Sequence, residues 1–232
     1  MTLKTKENYL KSMYVLEVEE GEISLSRLGK RMGVSLPTVN SMVKRLQDEG
    51  WVRYEKYKPL QLTTIGKKTA GLIIRKHRIV EMFLVKKLGF GWEEVHEIAE
   101  EMEHIHSDVL FERMDEMLGH PTMDPHGSPI PDKKSGLLML QNKLKLSDVS
   151  IRCKVRLSGI IHTSTDFLLY LNKKDLQLGT EMEVIHIEPF DKSITISYNK
   201  CASLTLSKDV CERLYVEMIG EPQIPDSDKP QE

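Results

Sequence analysis

Cysteine is scarce in this chain. Only Cys153, Cys201 and Cys211 occur in 232 residues, with no CxxC pair, so neither a zinc ribbon nor a disulfide framework is expected and the three thiols read as reduced packing residues. No run approaches the ~18 to 20 apolar residues of a membrane helix, and residues 1–20 lack the short apolar core of a secretory signal, so a cytoplasmic protein with no membrane partner is expected. Net charge is also nearly absent, at −2, and with 40% hydrophobic and 29% charged residues the composition is that of an ordinary globular chain rather than a disordered or fibrous one.

The small total hides a division along the chain. Residues 1–68 carry 13 Lys and Arg against 8 Asp and Glu, whereas residues 69–120 carry 6 against 11. A basic head suits a phosphate backbone. An acidic waist suits a divalent cation or a solvated helix face.

In the head, Tyr9, Leu10, Met13, Tyr14, Leu16 and Val18 recur mostly at helical spacing up to Gly21. Ser24 and Ser35 then stand as caps for two further helices, Leu25–Met32 and a segment in which Val39, Met42, Val43 and Leu46 keep the i, i+3, i+4, i+7 pattern. Two short strand-like pieces, Trp51–Tyr54 and Leu60–Thr63, flank a basic turn. Three helices and a hairpin make a winged helix-turn-helix over residues 1–72. In that motif the second helix of the pair enters the major groove, so Ser35, Pro37, Thr38 and Ser41 are the candidates for base edges. Arg27, Lys30, Lys44, Arg45, Lys56 and Lys58 are the candidates for phosphates, which position the domain without reading sequence. The expected partner is double-stranded operator DNA.

Residues 73–140 read as a helical waist. One long helix is expected from Thr63 or Thr64 to about Leu88, a second from Trp92 to about Leu118, and a proline-rich loop over 119–136. His96, Glu100, Glu103 and His104 would lie along one stripe of the second helix, with His77 and Glu81 four apart on the first. Crowded acids without a counter-ion cost stability, and a divalent cation would remove that cost. Asp124-Pro125-His126 in the loop, taken with Glu81, would complete a second, hard oxygen and nitrogen donor set that suits Mn²⁺ or Fe²⁺, with Zn²⁺ and Co²⁺ still open. His106, His120, His162 and His186 lack such company and read as ordinary surface or packing residues.

Residues 141–220 hold short β-rich runs, Lys154–Ile161, Phe167–Leu171, Glu181–Ile187, Ser193–Tyr198 and Ser203–Leu206, then a closing helix over 208–218. A small barrel or sandwich is expected, followed by a disordered tail, 221–232. The fold class is therefore α+β.

With these segments in place, the chain resembles the diphtheria-toxin-repressor family of metal-dependent transcriptional regulators, particularly its manganese-responsive, three-domain members. The resemblance rests on Glu7-Asn8-Tyr9-Leu10, Ser35-Leu36-Pro37-Thr38-Val39, Arg75-Lys76-His77-Arg78 with Glu81, Val95-His96-Glu97 through Glu103-His104, and Pro125-His126-Gly127 with Pro129-Ile130-Pro131. It implies one metal site built from the first helix with His77, Glu100, Glu103 and His104, and a neighbour using Glu81, Asp124, His126 and in some members a C-terminal acid. It further implies a homodimer through the waist helices, an SH3-like last domain related to ferrous-transport accessory proteins, and repression of metal-uptake genes. Three positions depart from the pattern: Asn8 where Asp or Met is frequent, Lys11 where some manganese sensors have Glu, and Asp124 in place of a frequent Cys. Asn8 can ligate through its carbonyl and Lys11 cannot, while Asp166 is the remaining candidate for the displaced acid.

Two other classes compete. A metallohydrolase would need an HExxH helix or a paired acid and base, which the sequence lacks. A winged-helix regulator sensing a small organic ligand would bind DNA with no dependence on metal. The reading adopted is a regulator that is not an enzyme and takes no small organic substrate.

Overall fold

The computed structural model describes residues 2–55, 58–138, 144–161, 164–199 and 201–219. Lys56, His162 and the tail 221–232, each the subject of an expectation above, lie outside them. Two compact units are formed, Met1–Pro125 with Pro129–Leu140, and His126–Ser128 with Gln141–Glu232.

The first unit begins with α1 (Leu3–Glu20), which Thr2 caps and Gly21 ends with φ 78°, its N–H donating to the Glu17 carbonyl. A left-handed C-cap of this kind satisfies a carbonyl that the helix leaves open. Ser24 caps α2 (Leu25–Met32) by accepting from the Arg27 N–H at 3.2 Å, and α3 (Leu36–Asp48) follows with Pro37 in its first turn. Antiparallel β1 (Val52–Arg53) and β2 (Gln61–Leu62) pair Val52 with Leu62 and form the wing. Leu10, Met13, Leu28, Val39, Met42, Val43, Leu46, Val52 and Leu62 close one core between these elements.

Thr63 caps α4 (Thr64–Leu88), and Gly89 ends it in the left-handed conformation. This helix spans about 37 Å at 1.5 Å per residue. Its first half gives Ala70 and Ile74 to the head's core, and its second half gives Ile79, Val80 and Leu84 to a second core with Val95, Ala99, Phe111 and Met114. Head and waist are joined by that one continuous rod. Gly71 fixes the height of the loop against it: a Cβ there would stand 1.7 Å from the Gly136 carbonyl oxygen, so only glycine permits the approach.

The second waist helix is broken where a continuous one was expected. Residues form α5 (Val95–Met102) and α6 (Asp108–Met117), with Ser107 capping α6 from outside the helical region at φ −140°. Ser-Asp before an apolar face is a start signal, and here it outweighs the periodicity running through it. His96 and Glu100 therefore lie on α5, Glu103 at its C-cap and His104 beyond it, not on one stripe.

The second unit is a six-stranded antiparallel sheet. Along it lie β3 (Leu144–Lys145), β8 (Leu214–Met218), β4 (Lys154–Ile160), β5 (Glu181–Ile187), β6 (Ile194–Tyr198) and β7 (Cys201–Leu206), in that spatial order. Two expectations are corrected here. Phe167–Leu171 is not a strand but part of α7 (Thr165–Asn172), because Ser164 caps it and Phe167, Leu168 and Leu171 bury one helical face. The expected closing helix shrinks to α8 (Lys208–Cys211); Leu214 and Val216 are buried with Tyr215 less so between them, a period of two that suits a strand. All three cysteines are free thiols, and burial pushes the Cys211 thiol up to about 12. Among the described residues no helix is long and apolar enough to cross a membrane.

Candidate metal centre and nucleic-acid interface

Helices α1, α4 and α5 bring together side chains far apart in sequence. His77, on the inner face of α4, places Nδ1 2.6 Å from Glu103 Oε2 and Nε2 3.0 Å from Glu81 Oε1 and 3.2 Å from His96 Nδ1. Burial alone would lower the His77 pKa, but its hydrogen bonds to Glu103 and Glu81 prevail and raise it to about 9. At neutral pH the ring is then an imidazolium donating from both nitrogens. Lys11 of α1 completes the layer, with Nζ 2.5 Å from Glu100 Oε2 and 2.7 Å from Glu103 Oε1. Burial pushes the Glu100 carboxyl up, yet the Lys11 ammonium, helped by His77 and His96, holds it below the usual carboxylate range.

Lys11 and the His77 proton offset part of the charge of Glu81, Glu100 and Glu103 within the chain.

The centre also holds buried polar atoms that have no hydrogen-bond partner. Glu7 Oε2 lies 2.5 Å from His104 Nδ1, whose N–H donates to that carboxylate. The His104 Nε2 is buried, lacks a hydrogen-bond partner and stands 3.4 Å from Glu103 Oε1. The Asn8 side-chain oxygen is likewise buried with no partner. Unsatisfied buried acceptors are costly, and a cation satisfies several at once. Glu100, Glu103 and His104 each offer one atom within 4.8 Å of the others, as do His77, His96 and Glu100. The residues present fit a divalent metal.

Other candidates are placed as follows. Glu81 and Asp124 are buried in the first unit, with Arg78 Nε 3.5 Å from Asp124 Oδ2. His126 is buried and falls in the second unit, where its carbonyl accepts from the Ile160 N–H at 2.9 Å. The His96 side chain is 58% exposed, at the margin of the centre. Asp166 is exposed in the first turn of α7. Two members of the cluster escaped the sequence reading, Glu7 as the group that orients His104 and Lys11 as a resident cation. The signal for Glu7 was its place on α1 next to Asn8 and four residues before Lys11; nothing local announced its partner 97 residues away.

On the opposite side of the head's core, Ser35, Pro37, Thr38, Ser41, Lys44 and Arg45 are all exposed, while Val39, Met42, Val43 and Leu46 are buried. Ser35 occupies the N-cap of α3 but makes no capping hydrogen bond; its hydroxyl instead lies 2.9 Å from that of Thr38. Lys30 is exposed on α2, Arg27 is paired with Glu20, and Lys58 with Glu55. The last two therefore offer less net positive charge than their side chains alone suggest.

Buried acids and imidazoles that could hold a metal, packed in one unit with a winged helix-turn-helix, define a class of protein, and comparison with known proteins agrees. Residues 1–60 match the iron dependent repressor N-terminal DNA binding domain, residues 63–132 the iron dependent repressor metal binding and dimerisation domain, and residues 144–218 the FeoA domain. The diphtheria toxin repressor of Corynebacterium diphtheriae is 32% identical over 205 residues, covering 84% of this chain and 89% of its own. The chain belongs to the diphtheria-toxin-repressor family. The iron-dependent repressor IdeR of Mycobacterium leprae is 41% identical over 128 residues, 55% of each protein, so the chain spans about half the length of those relatives. Among solved structures, a manganese-dependent transcriptional repressor in complex with manganese superposes with a TM-score of 0.82 at 28% identity, over 92% of this chain and all of that one. ScaR with bound Zn²⁺ gives 0.75 at 33%, over 92% and 99%.

Proposed function

We propose that this protein is a metal-responsive transcriptional repressor that binds operator DNA as a homodimer when loaded with Mn²⁺ or Fe²⁺, and that it regulates metal uptake. One observation carries the reading: Glu100, Glu103 and His104 bring donor atoms within 4.8 Å of one another where Lys11 ties α1 to them, and α1 shares its core with the exposed recognition helix α3. Asn8, His77, Glu100, Glu103 and His104 would hold one ion, with Glu7 orienting His104 and His96 at the rim. Glu81 and Asp124 form the second proposed set, and His126 and Asp166, which fall in the other unit, stay candidates on the sequence alone. A divalent cation supplies the charge that lets these donors converge. Everything else is done by the chain: α1 is held to α5 at a set height, and the winged-helix head, built around α1 and α3, takes its orientation from that hold.

The family models support DNA binding and dimerisation; Mn²⁺ and Fe²⁺ are favoured because the donors are oxygen and imidazole nitrogen, with no thiolate among them. We place the working division at residues 1–72, 73–140 and 141–220, and assign no catalytic role. Linkage requires operator DNA to tighten metal binding by the same factor, typically ~5 to 150-fold, by which metal tightens DNA binding. The test is a DNA-binding titration on metal-stripped protein, repeated with each first-row divalent ion and with bound metal counted. Tighter operator binding with Mn²⁺ or Fe²⁺, lost in Glu103→Ala, is the expected result. Affinity indifferent to every ion and to chelator would overturn the reading in favour of an organic-ligand sensor.

A further inference from the structure

We propose that Lys11 is the resident occupant of this centre, an ammonium that holds Glu100 and Glu103 in the metal-free protein and has to leave them when a divalent cation is taken up. The inference rests on the metal reading above and adds the group with which the ion competes. Nζ touches both acids, at 2.5 and 2.7 Å, and these are the acids whose oxygens lie within 4.8 Å of one another and of a His104 ring nitrogen. The Glu103 side chain is fully buried. A carboxylate taken that far from water needs a cation beside it, and Lys11 supplies one without metal.

The residue type suits a place-holder. Arginine would grip two carboxylates with a planar fork, whereas lysine offers a single charge on a flexible four-carbon stem that can swing aside. The Lys11 side chain is 17% exposed, so water lies within its reach. Glu7, which faces His104, and Asn8, whose buried oxygen is unpartnered, sit four and three residues earlier on the same helix. In this scheme α1 is tied to α5 in both states. The anchor passes from Lys11 to Asn8, about one helical turn along α1, and metal affinity reflects an exchange of cations instead of the filling of a void.

The experiment uses the full-length, metal-stripped protein with Mn²⁺ as the probe. Lys11→Met keeps the stem and removes the charge; its Kd for Mn²⁺ should be tighter than wild type by about tenfold, within the usual range of coupling between competing states. Lys11→Arg, which keeps the charge and grips harder, should bind Mn²⁺ no better than wild type. A second measurement needs no variant: acetylation of lysines by an amine-reactive ester, read by mass spectrometry, should be slow at Lys11 without metal and faster at saturating Mn²⁺, with Lys30 unchanged. Equal or weaker Mn²⁺ binding by Lys11→Met, or acetylation of Lys11 that does not rise with Mn²⁺ bound, would overturn the proposal. If Lys11→Met does not fold, the acetylation result decides. Wild-type protein that takes up no Mn²⁺ or other divalent ion would remove the metal reading itself, and this inference with it.

Discussion

Two buried polar clusters lie along α4, and they differ in what neutralises their acids. Around His77 the counter-charges are the Lys11 ammonium and a ring proton, both of which can be given up. One turn or less away along the chain, Arg75 Nη2 lies 2.8 Å from Asp115 Oδ2, its Nη1 donates to the Pro131 carbonyl at 2.8 Å, and His120 Nδ1 lies 3.1 Å from the same Asp115 oxygen. A guanidinium stays charged at all accessible pH and locks its partners in a plane. On the exchange proposed above, the first cluster gives up its cation and the second keeps it. The same inventory of acids and imidazoles thus gives a binding centre or a structural clamp according to the cation packed beside it.

The largest effect expected is at the clamp. Arg75→Ala leaves buried Asp115 with only the exposed His120 ring beside it and frees the loop at Pro131, and should cost about 3 to 5 kcal/mol of stability, the usual range for breaking a buried pair. Thermal or urea unfolding of the metal-free protein measures it, and an unchanged midpoint would erase the distinction between the clusters. Gly71→Ala strikes the same loop through backbone contact with Gly136 and should cost about 1 to 3 kcal/mol, as overpacking usually does.

The exchangeable cluster should respond to pH. His77 rises from 6.5 in the unfolded chain to about 9 when folded without metal, so its stabilising contribution is complete below pH 6.5 and fades as pH climbs through 9. A metal needs the ring unprotonated, so the affinity of the His77 centre should rise between pH 6.5 and 9, by up to about tenfold per unit for one released proton. Isothermal titration in two buffers of different ionisation heat counts that proton; none released at pH 7.5 would show that His77 is not a ligand. His96→Ala, at the exposed rim, should weaken Mn²⁺ binding by about tenfold, the low end of the range for residues that support metal ligands, and by less than Glu103→Ala does. Smallest of all, Lys44→Ala should weaken binding to every DNA sequence alike and lower the salt slope by about 1, which places it with phosphate contacts and apart from both clusters.

Much of this was legible beforehand for identifiable reasons. The apolar spacing of Val39, Met42, Val43 and Leu46 placed the exposed face of α3 correctly, because a 3.6-residue period leaves one buried stripe. His77, Glu81, Glu100, Glu103 and His104 were singled out by type and proximity, and the structure brings His77 to the acids and His104 to Glu103. The break between α5 and α6 was missed because helical periodicity continued through Ser107, and only its cap, with His104 turned toward Glu7, ends the helix. Phe167–Leu171 was misassigned for the converse reason: a short apolar run reads alike as strand or buried helix, and the cap at Ser164 settles it.

What the sequence by itself determined is local: where helices start and stop at Ser24, Thr63 and Gly89, which faces they bury, and which chemical groups are present to meet a metal or a phosphate. What only the tertiary structure decided is which cation stands beside which acid. Lys11 and Glu103 are 92 residues apart. Helix capping and hydrophobic periodicity act over a turn or two of chain, whereas the neutralising of a buried charge depends on whatever the fold places within a few ångströms, and no spacing along the chain records that distance.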